Sequence, residues 1–213
     1  LSLEITNFTG KVKEVADQIF QFDLLTPEFC KLLVDKADRQ NQWMPESDLD
    51  KVSGVVNAPV KGAPSLVNIF DRYRERYYGV TMDDGEHEET LPLSSMAGME
   101  ELYVKIVGRY VAPLIQKLWP TWENGIWDQP YILKYCMGEQ TSMALHHDEE
   151  LVAMIVYIND DFTGGGTAFP RQKYKTGKLP TGTAIMYSAG ISHPHMGIPI
   201  TSGCRYLLLG AFQ

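Results

Sequence analysis

From Ile126 to the end of the chain, strand-like apolar runs alternate with glycine-rich turns, and this pattern constrains the fold more than any other feature. The runs are Gln129 to Tyr135, Leu151 to Asn159, Thr167 to Phe169, Gly182 to Ser188 and Tyr206 to Phe212. Short runs at this spacing, separated by turn residues, predict an antiparallel sandwich or barrel. The first 125 residues read instead as helix and loop. Thr26-Pro27-Glu28 has the chemistry of a helix start: a hydroxyl cap, a proline at the first position, and a carboxylate at the positive helix end. Phe29, Leu32, Leu33 and Ala37 follow as an apolar stripe at helical spacing, and Gln18 to Phe22 alternates like a short strand. Residues 44–64, with Pro45, Gly54, Pro59, Gly62 and Pro64, read as a long loop with a short strand around Val55 and Val56. A helix is predicted from Ser65 to about Tyr78. Met96 to Trp119 is the longest helical pattern, which Pro113 should kink or break. Helices first and strands second predict an α+β fold, with N-terminal helices packed against one side of a β core. The expectation is one domain over 1–213, with a helical and loop part at 1–125 and a β core carrying the site at 126–213.

Composition narrows the partners. Hydrophobic residues make up 44%, enough for a real core, and the net charge of -8 argues against phosphate-backbone binding. Nucleic acid is therefore not an expected partner, while a cationic peptide is compatible. No run reaches the roughly 18 apolar residues of a membrane span, and the N-terminus lacks a signal-peptide pattern. Leu1 in place of Met reads as the start of a fragment of a longer chain. The three cysteines form no CxxC pair, so a zinc ribbon or redox motif is not expected. Cys204, between a turn and an apolar strand, reads as a buried structural thiol, which leaves Cys30 and Cys136 open to a disulfide.

The chemistry is carried by His146-His147-Asp148 and His193-Pro194-His195. Two histidines and a carboxylate on one face of an octahedron leave three positions for co-substrate and oxygen, the arrangement of non-haem iron(II) oxygenases. In a strand-like segment alternate residues share a side, so His146 and Asp148 point together and His147 away. The pair sits at the entrance of the strand Leu151 to Asn159. His195 is the expected third ligand, and Arg205 stands ten residues later at the head of the last apolar strand. A guanidinium is a permanent planar fork for a carboxylate. A dicarboxylate held by a metal at one end needs such an anchor at the other. HxD, His and Arg in this order therefore fit iron(II) with 2-oxoglutarate and dioxygen as co-substrates. Each piece alone is weak, since HxD is common by chance.

At these residues the chain resembles the procollagen lysyl hydroxylases, within the iron(II) and 2-oxoglutarate dioxygenases. The segments that carry the resemblance are Leu133-Lys134-Tyr135, Leu145 to Asp148, Asn159 to Phe169, His193 to Pro199 and Gly203 to Tyr206. The Asp-Phe-x-Gly-Gly-Gly and His-x-His-x-Gly-x-Pro runs point past the superfamily to the lysyl hydroxylases; Thr167, where relatives often have Cys, departs from the pattern. The resemblance implies a double-stranded β-helix (jelly-roll) core. It implies His146, Asp148 and His195 as iron ligands, Arg205 as 2-oxoglutarate anchor and Tyr135 as a further co-substrate contact. It implies hydroxylation of lysine at C5 in collagen-like Gly-X-Lys sequences, a homodimer, ascorbate as reductant, and a glycosyltransferase region upstream in larger forms. The compartment follows the source: endoplasmic reticulum lumen in an animal, host cytoplasm or virion for a viral relative.

Other residues carry two readings each. Glu149 and Glu150 are candidate contacts for a substrate ammonium or a solvated turn, and the acidic run at 82–90, with Asp83, Asp84, Glu86 and Glu89, reads as a solvated loop. Gly164-Gly165-Gly166 lacks phosphate-loop spacing and reads as a turn that brings backbone to the site. Trp43, Trp119, Trp122, Trp127 and Tyr187 read as packing before ligand cage, and His147, His193 and His87 as non-ligands. Ile191 and Leu207 are candidate dimer contacts. The alternatives are a peptidyl-prolyl hydroxylase, an inactive collagen-binding or dimerisation module, and a zinc hydrolase on the same ligands. Collagen-type prolyl hydroxylases use Lys where Arg205 stands, and no general-base Glu is placed for a hydrolase.

Overall fold

The computed structural model describes residues 11–44, 89–122 and 130–213. The expected strand at Val55, the helix from Ser65, residues 82–88 of the acidic run, His87 and Trp127 lie outside the described residues.

The first helix, α1 (Pro27–Gln40), starts as its sequence dictates. The Thr26 hydroxyl accepts from the Phe29 N–H, and Phe29, Cys30, Leu33 and Ala37 form the buried face. It ends at Asn41, whose left-handed backbone lets its N–H reach the Ala37 carbonyl. The second helical run is α2 (Met99–Ile106), a wider π turn at Val107–Val111, and α3 (Ala112–Leu118). Pro113 has no N–H to give to the preceding turn, and the widened turn immediately before it absorbs that loss without breaking the run.

The strands before the metal motif are β1 (Lys13–Ala16), β2 (Ile19–Asp23), β3 (Glu89–Pro92), β4 (Tyr131–Cys136) and β5 (Met143–His146). They are followed by β6 (Val152–Tyr157), β7 (Thr163–Gly164), β8 (Thr167–Phe169), β9 (Tyr174–Lys175), β10 (Thr183–Ser188), β11 (His195–Gly197), β12 (Ile200–Ser202) and β13 (Cys204–Phe212). A seven-stranded sheet runs β1-β2-β10-β6-β13-β4-β3. A four-stranded sheet, β5-β11-β8-β9, packs against it, and β12 and β7 form a separate ribbon.

The two-residue period of the strands sorts side chains between two cores. Val152, Met154 and Val156 on β6, with Ala184, Met186, Tyr206 and Leu208, meet the helices. Ala153, Ile155 and Tyr157, with Ile185, Tyr187, Leu133, Tyr135 and Leu207, face the smaller sheet and pack with its Phe169. Both faces of β6 are therefore buried, which is why it reads as a continuous apolar run. The same sorting removes Leu207 from any dimer surface: it is 3% exposed between the sheets, whereas Ile191 is 69% exposed. Gly182 ties the helical layer to β10. Its carbonyl accepts from the Leu24 and Leu25 N–H groups, and at φ +90° any Cβ would collide with the Leu25 carbonyl oxygen.

The cysteines pair otherwise than the sequence suggests. Cys136 and Cys204 are direct partners across β4 and β13 and form a disulfide, while Cys30 is a free thiol in the helical core. Cross-strand register, not sequence distance, decides this pairing: strand partners lie within reach of one S–S bond, and Cys30 is on a helix facing the other core. Burial pushes the Cys30 thiol up to about 12, which disfavours its thiolate. The disulfide closes a loop with a sequence separation of 68. Replacing both cysteines by Ser is expected to cost about 2–5 kcal/mol of stability, read as a lower urea midpoint than the oxidised protein. Equal midpoints would show that the bond contributes nothing.

Candidate metal centre

The HxD motif does not open β6, as expected, but ends β5. His146 is the last residue of that strand, and Asp148 lies beyond it in the loop before β6. The strand is four residues long, too short for a periodicity to separate it from β6 in the sequence. The consequence is favourable for a site. β5 pairs antiparallel with β11, and His146 and His195 are direct register partners. Their rings lie 4.3 Å apart between centroids. Asp148 is held at its backbone, where its carbonyl accepts from the Gly190 N–H at 2.8 Å.

The ligand atoms of His146, Asp148 and His195 all lie within 4.8 Å of one another. His146 Nε2 is 3.6 Å from Asp148 Oδ1, and His195 Nε2 is 3.7 Å from Asp148 Oδ2. The tautomers follow from the other ring nitrogens. His146 Nδ1 is 2.8 Å from the Ala144 carbonyl oxygen and His195 Nδ1 is 3.2 Å from that of His193. A carbonyl only accepts, so both Nδ1 atoms carry a proton, and in a neutral ring Nε2 is the nitrogen that presents a lone pair. Burial, then the neighbouring His146, lowers the His195 pKa to about 4, which keeps that lone pair free at neutral pH. Two imidazoles and a carboxylate converging on one point are an N/O donor set suited to a divalent transition metal.

His193 and His147 are placed otherwise. His193 Nε2 donates to the Asp17 carbonyl at 3.0 Å and its Nδ1 meets the Ser192 hydroxyl at 2.9 Å, so both ring nitrogens are engaged away from the site. His147 turns its Nδ1 to the Asp148 carbonyl. Glu149 is exposed, whereas Glu150 is half-buried and its charge is felt by Tyr187. Glu89 is bound to Lys134, whose ammonium also lies over the Trp43 ring. Trp119 packs edge-on against Phe20, and Trp122 is buried with its indole N–H on the Gln213 carbonyl, so these tryptophans pack the fold.

The second half of the site is Arg205. It heads β13 opposite Tyr135 and is 1% exposed. Its guanidinium donates to the Gly166 carbonyl at 3.0 Å, the Tyr157 hydroxyl at 3.0 Å and the Thr167 hydroxyl at 3.3 Å. It lies 4.9 Å from the Tyr157 ring centre and 5.7 Å from that of Tyr135. All three acceptors are neutral, Nε has no partner, and among the described residues no carboxylate pairs with this charge. A buried cation in that state favours an anion beside it. Gly166, at φ +115°, lies so close to Gly177 that a Cβ would meet its backbone at 3.0 Å, which explains why the glycine run can deliver a carbonyl to Arg205.

Three participants were not legible as such. Tyr157 and Thr176 hold the cation end, with 2.8 Å between their hydroxyls and 2.9 Å from the Thr167 N–H to Thr176 Oγ1. Tyr187 reaches the triad: its hydroxyl donates to Asp148 Oδ2 at 2.9 Å and lies 3.1 Å from His195 Nε2. Burial, then the Asp148 charge, holds its phenol well above the usual range. Its parity with Ile185 on one strand was the available signal.

Comparison with known proteins gives related findings. No family model matches the chain. The chain is 25% identical over 202 residues to the "Procollagen lysyl hydroxylase and glycosyltransferase" of Acanthamoeba polyphaga mimivirus, covering 92% of this chain and 19% of that protein. It is 23% identical over 212 residues to the "Procollagen-lysine,2-oxoglutarate 5-dioxygenase" of Drosophila melanogaster, covering 95% of this chain and 25% of that protein. The chain thus spans about a fifth to a quarter of the length of these curated relatives. Among solved structures it superposes on the viral collagen prolyl hydroxylase of Paramecium Bursaria Chlorella virus-1 in its 2OG complex, at TM-score 0.59 and 14% identity. That match covers 93% of this chain and 98% of the other. A Pseudomonas putida prolyl-4-hydroxylase superposes at TM-score 0.56 and 17% identity, covering 92% of each chain. The fold is that of these oxygenases, and the sequence resemblance to procollagen lysyl hydroxylases extends over nearly the whole chain.

Proposed function

We propose that this relative of the procollagen lysyl hydroxylases is an iron(II)- and 2-oxoglutarate-dependent oxygenase that hydroxylates peptidyl lysine at C5 in collagen-like Gly-X-Lys sequences. In this reading the chain is one oxygenase domain, its two facing sheets the halves of a double-stranded β-helix. The observation that carries it is the joint presence of the triad and an unpaired buried cation. Thr167 pairs with Gly197, two residues from His195, so the Arg205 contacts and the triad are one side-chain row apart. That is roughly 7 Å at the rise of a strand, a span suited to a five-carbon dicarboxylate.

Bound iron(II), with the 2-oxo acid, would supply dioxygen activation and transfer of one oxygen atom to a carbon–hydrogen bond. His146, Asp148 and His195 would hold the ion. Arg205 binds the distal carboxylate, with Tyr157 and Thr167 fixing its guanidinium and Tyr135 beside it. Leu133, Ile155 and Leu207 line the interior between the sheets and exclude water. Glu149 and Glu150, following the triad carboxylate, are the candidates for the substrate ammonium. A collagen-like partner, a homodimer, ascorbate as reductant and an upstream glycosyltransferase region belong to the same reading and rest on the relatives.

The test is anaerobic loading with iron(II) and 2-oxoglutarate, then oxygen, scoring succinate with and without a Gly-X-Lys peptide. Peptide-stimulated succinate with +16 on lysine is the expected result. Addition to proline instead would favour the second reading, a prolyl hydroxylase, which the fold neighbours suggest. No turnover in folded, iron-loaded protein would leave a non-catalytic binding module.

A further inference from the structure

We infer that Tyr187 is a positioning residue for the metal: its hydroxyl holds Oδ2 of Asp148, so that Oδ1 alone is presented to an ion shared with His146 and His195. This rests on the reading of the triad as a metal site.

The two oxygens of Asp148 are already divided. Each oxygen faces one histidine, Oδ1 at 3.6 Å from His146 Nε2 and Oδ2 at 3.7 Å from His195 Nε2, but Oδ2 alone accepts from Tyr187, at 2.9 Å. Asp148 lies beyond the end of a strand, and its bonds to Gly190 and His147 hold its backbone carbonyl but not its carboxylate, which without a further partner could turn or chelate through both oxygens. Tyr187 comes from a better fixed place. β10 lies between β2 and β6 inside the larger sheet, and Tyr187 is 1% exposed there. Its ring stands edge-on to Phe169 at 4.9 Å and to His195 at 4.9 Å, which fixes where the hydroxyl points. A donor bound to Oδ2 opposes chelation by both oxygens and so keeps a coordination position open.

The same hydroxyl lies 3.1 Å from His195 Nε2, so without metal its proton has two acceptors. A metal held by Nε2 would leave Asp148 Oδ2 as the acceptor of that proton. Tyr187 would then be committed to the carboxylate, and the carboxylate to one orientation.

The experiment compares wild type with Tyr187→Phe, which removes one oxygen and keeps the ring. Cobalt(II) and iron(II) affinities are measured anaerobically by chelator competition, with the ligand-field spectrum of the cobalt form and circular dichroism of the metal-free protein. Expected are a folded variant, affinity weaker by about 10- to 100-fold, and an altered cobalt spectrum. Wild-type affinity and spectrum in the variant would overturn this inference alone. A phenolate-to-iron(III) charge-transfer band in oxidised wild type, lost in Tyr187→Phe, would overturn it by making Tyr187 a direct ligand. No metal binding by either protein would overturn the triad reading itself.

Discussion

His195→Ala is expected to eliminate iron(II) loading, and with it the proposed succinate release stimulated by peptide. His195 is the most buried of the three candidate ligands, and its burial and its neighbour His146 together keep it neutral. Its Nδ1 proton is committed to the His193 carbonyl, so Nε2 is the ring nitrogen left to face Asp148 and Tyr187. Alanine leaves two donors from β5 and its loop, with no group opposite. The loss should exceed the roughly 10- to 100-fold that a residue merely supporting a ligand costs. The control is His193→Ala, two residues away. His193 spends both nitrogens on Asp17 and Ser192, so its removal should lower the melting temperature and leave metal affinity near wild type. Measured by chelator competition, a His195→Ala protein that still binds iron(II) as wild type does would remove His195 from the ligand set.

Arg205→Met has two effects of different sign. With 2-oxoglutarate, thermal stabilisation by the ligand disappears, because the distal carboxylate loses its only proposed cationic partner. Breaking a buried ion pair from one side costs about 3–5 kcal/mol, a factor of about a hundred to a few thousand in affinity at about 1.4 kcal/mol per tenfold. Without 2-oxoglutarate the variant should melt at or above wild type. The guanidinium is a buried charge among neutral acceptors, and those acceptors have other partners once it is gone. Gly166 O also accepts from the Ile198 N–H, and Tyr157 also meets Thr176. A large fall in the ligand-free melting temperature would show instead that Arg205 is a structural strut.

What the sequence made legible was whatever depends on neighbours along the chain. The Thr26 cap, the Pro113 disturbance and the apolar runs of β6, β10 and β13 are local, and each appears where local chemistry puts it. The triad and Arg205 were legible because their types and order are restrictive. The register that unites His146 with His195 across β5 and β11 was not, since both strands are too short to show a period. The same lack hid β7, β9 and β12. Cys136 and Cys204 were missed as a pair for the related reason that strand partners are set by tertiary register. Tyr157 and Tyr187 are indistinguishable from core residues until the polar tip of each is seen to meet a site.

The Cys136–Cys204 bond also has a topological meaning. It turns residues 136 to 204 into a covalent ring, and His146, Asp148 and His195 all lie inside it. Tyr135 and Arg205 stand immediately outside, one on each side of the clasp. A single cut in any loop of the ring leaves all three ligand-bearing residues on one molecule. In the unfolded chain the ring holds them at a higher effective concentration than an open chain of that length would. Reassembly of the metal centre thus begins from a preselected set of conformations.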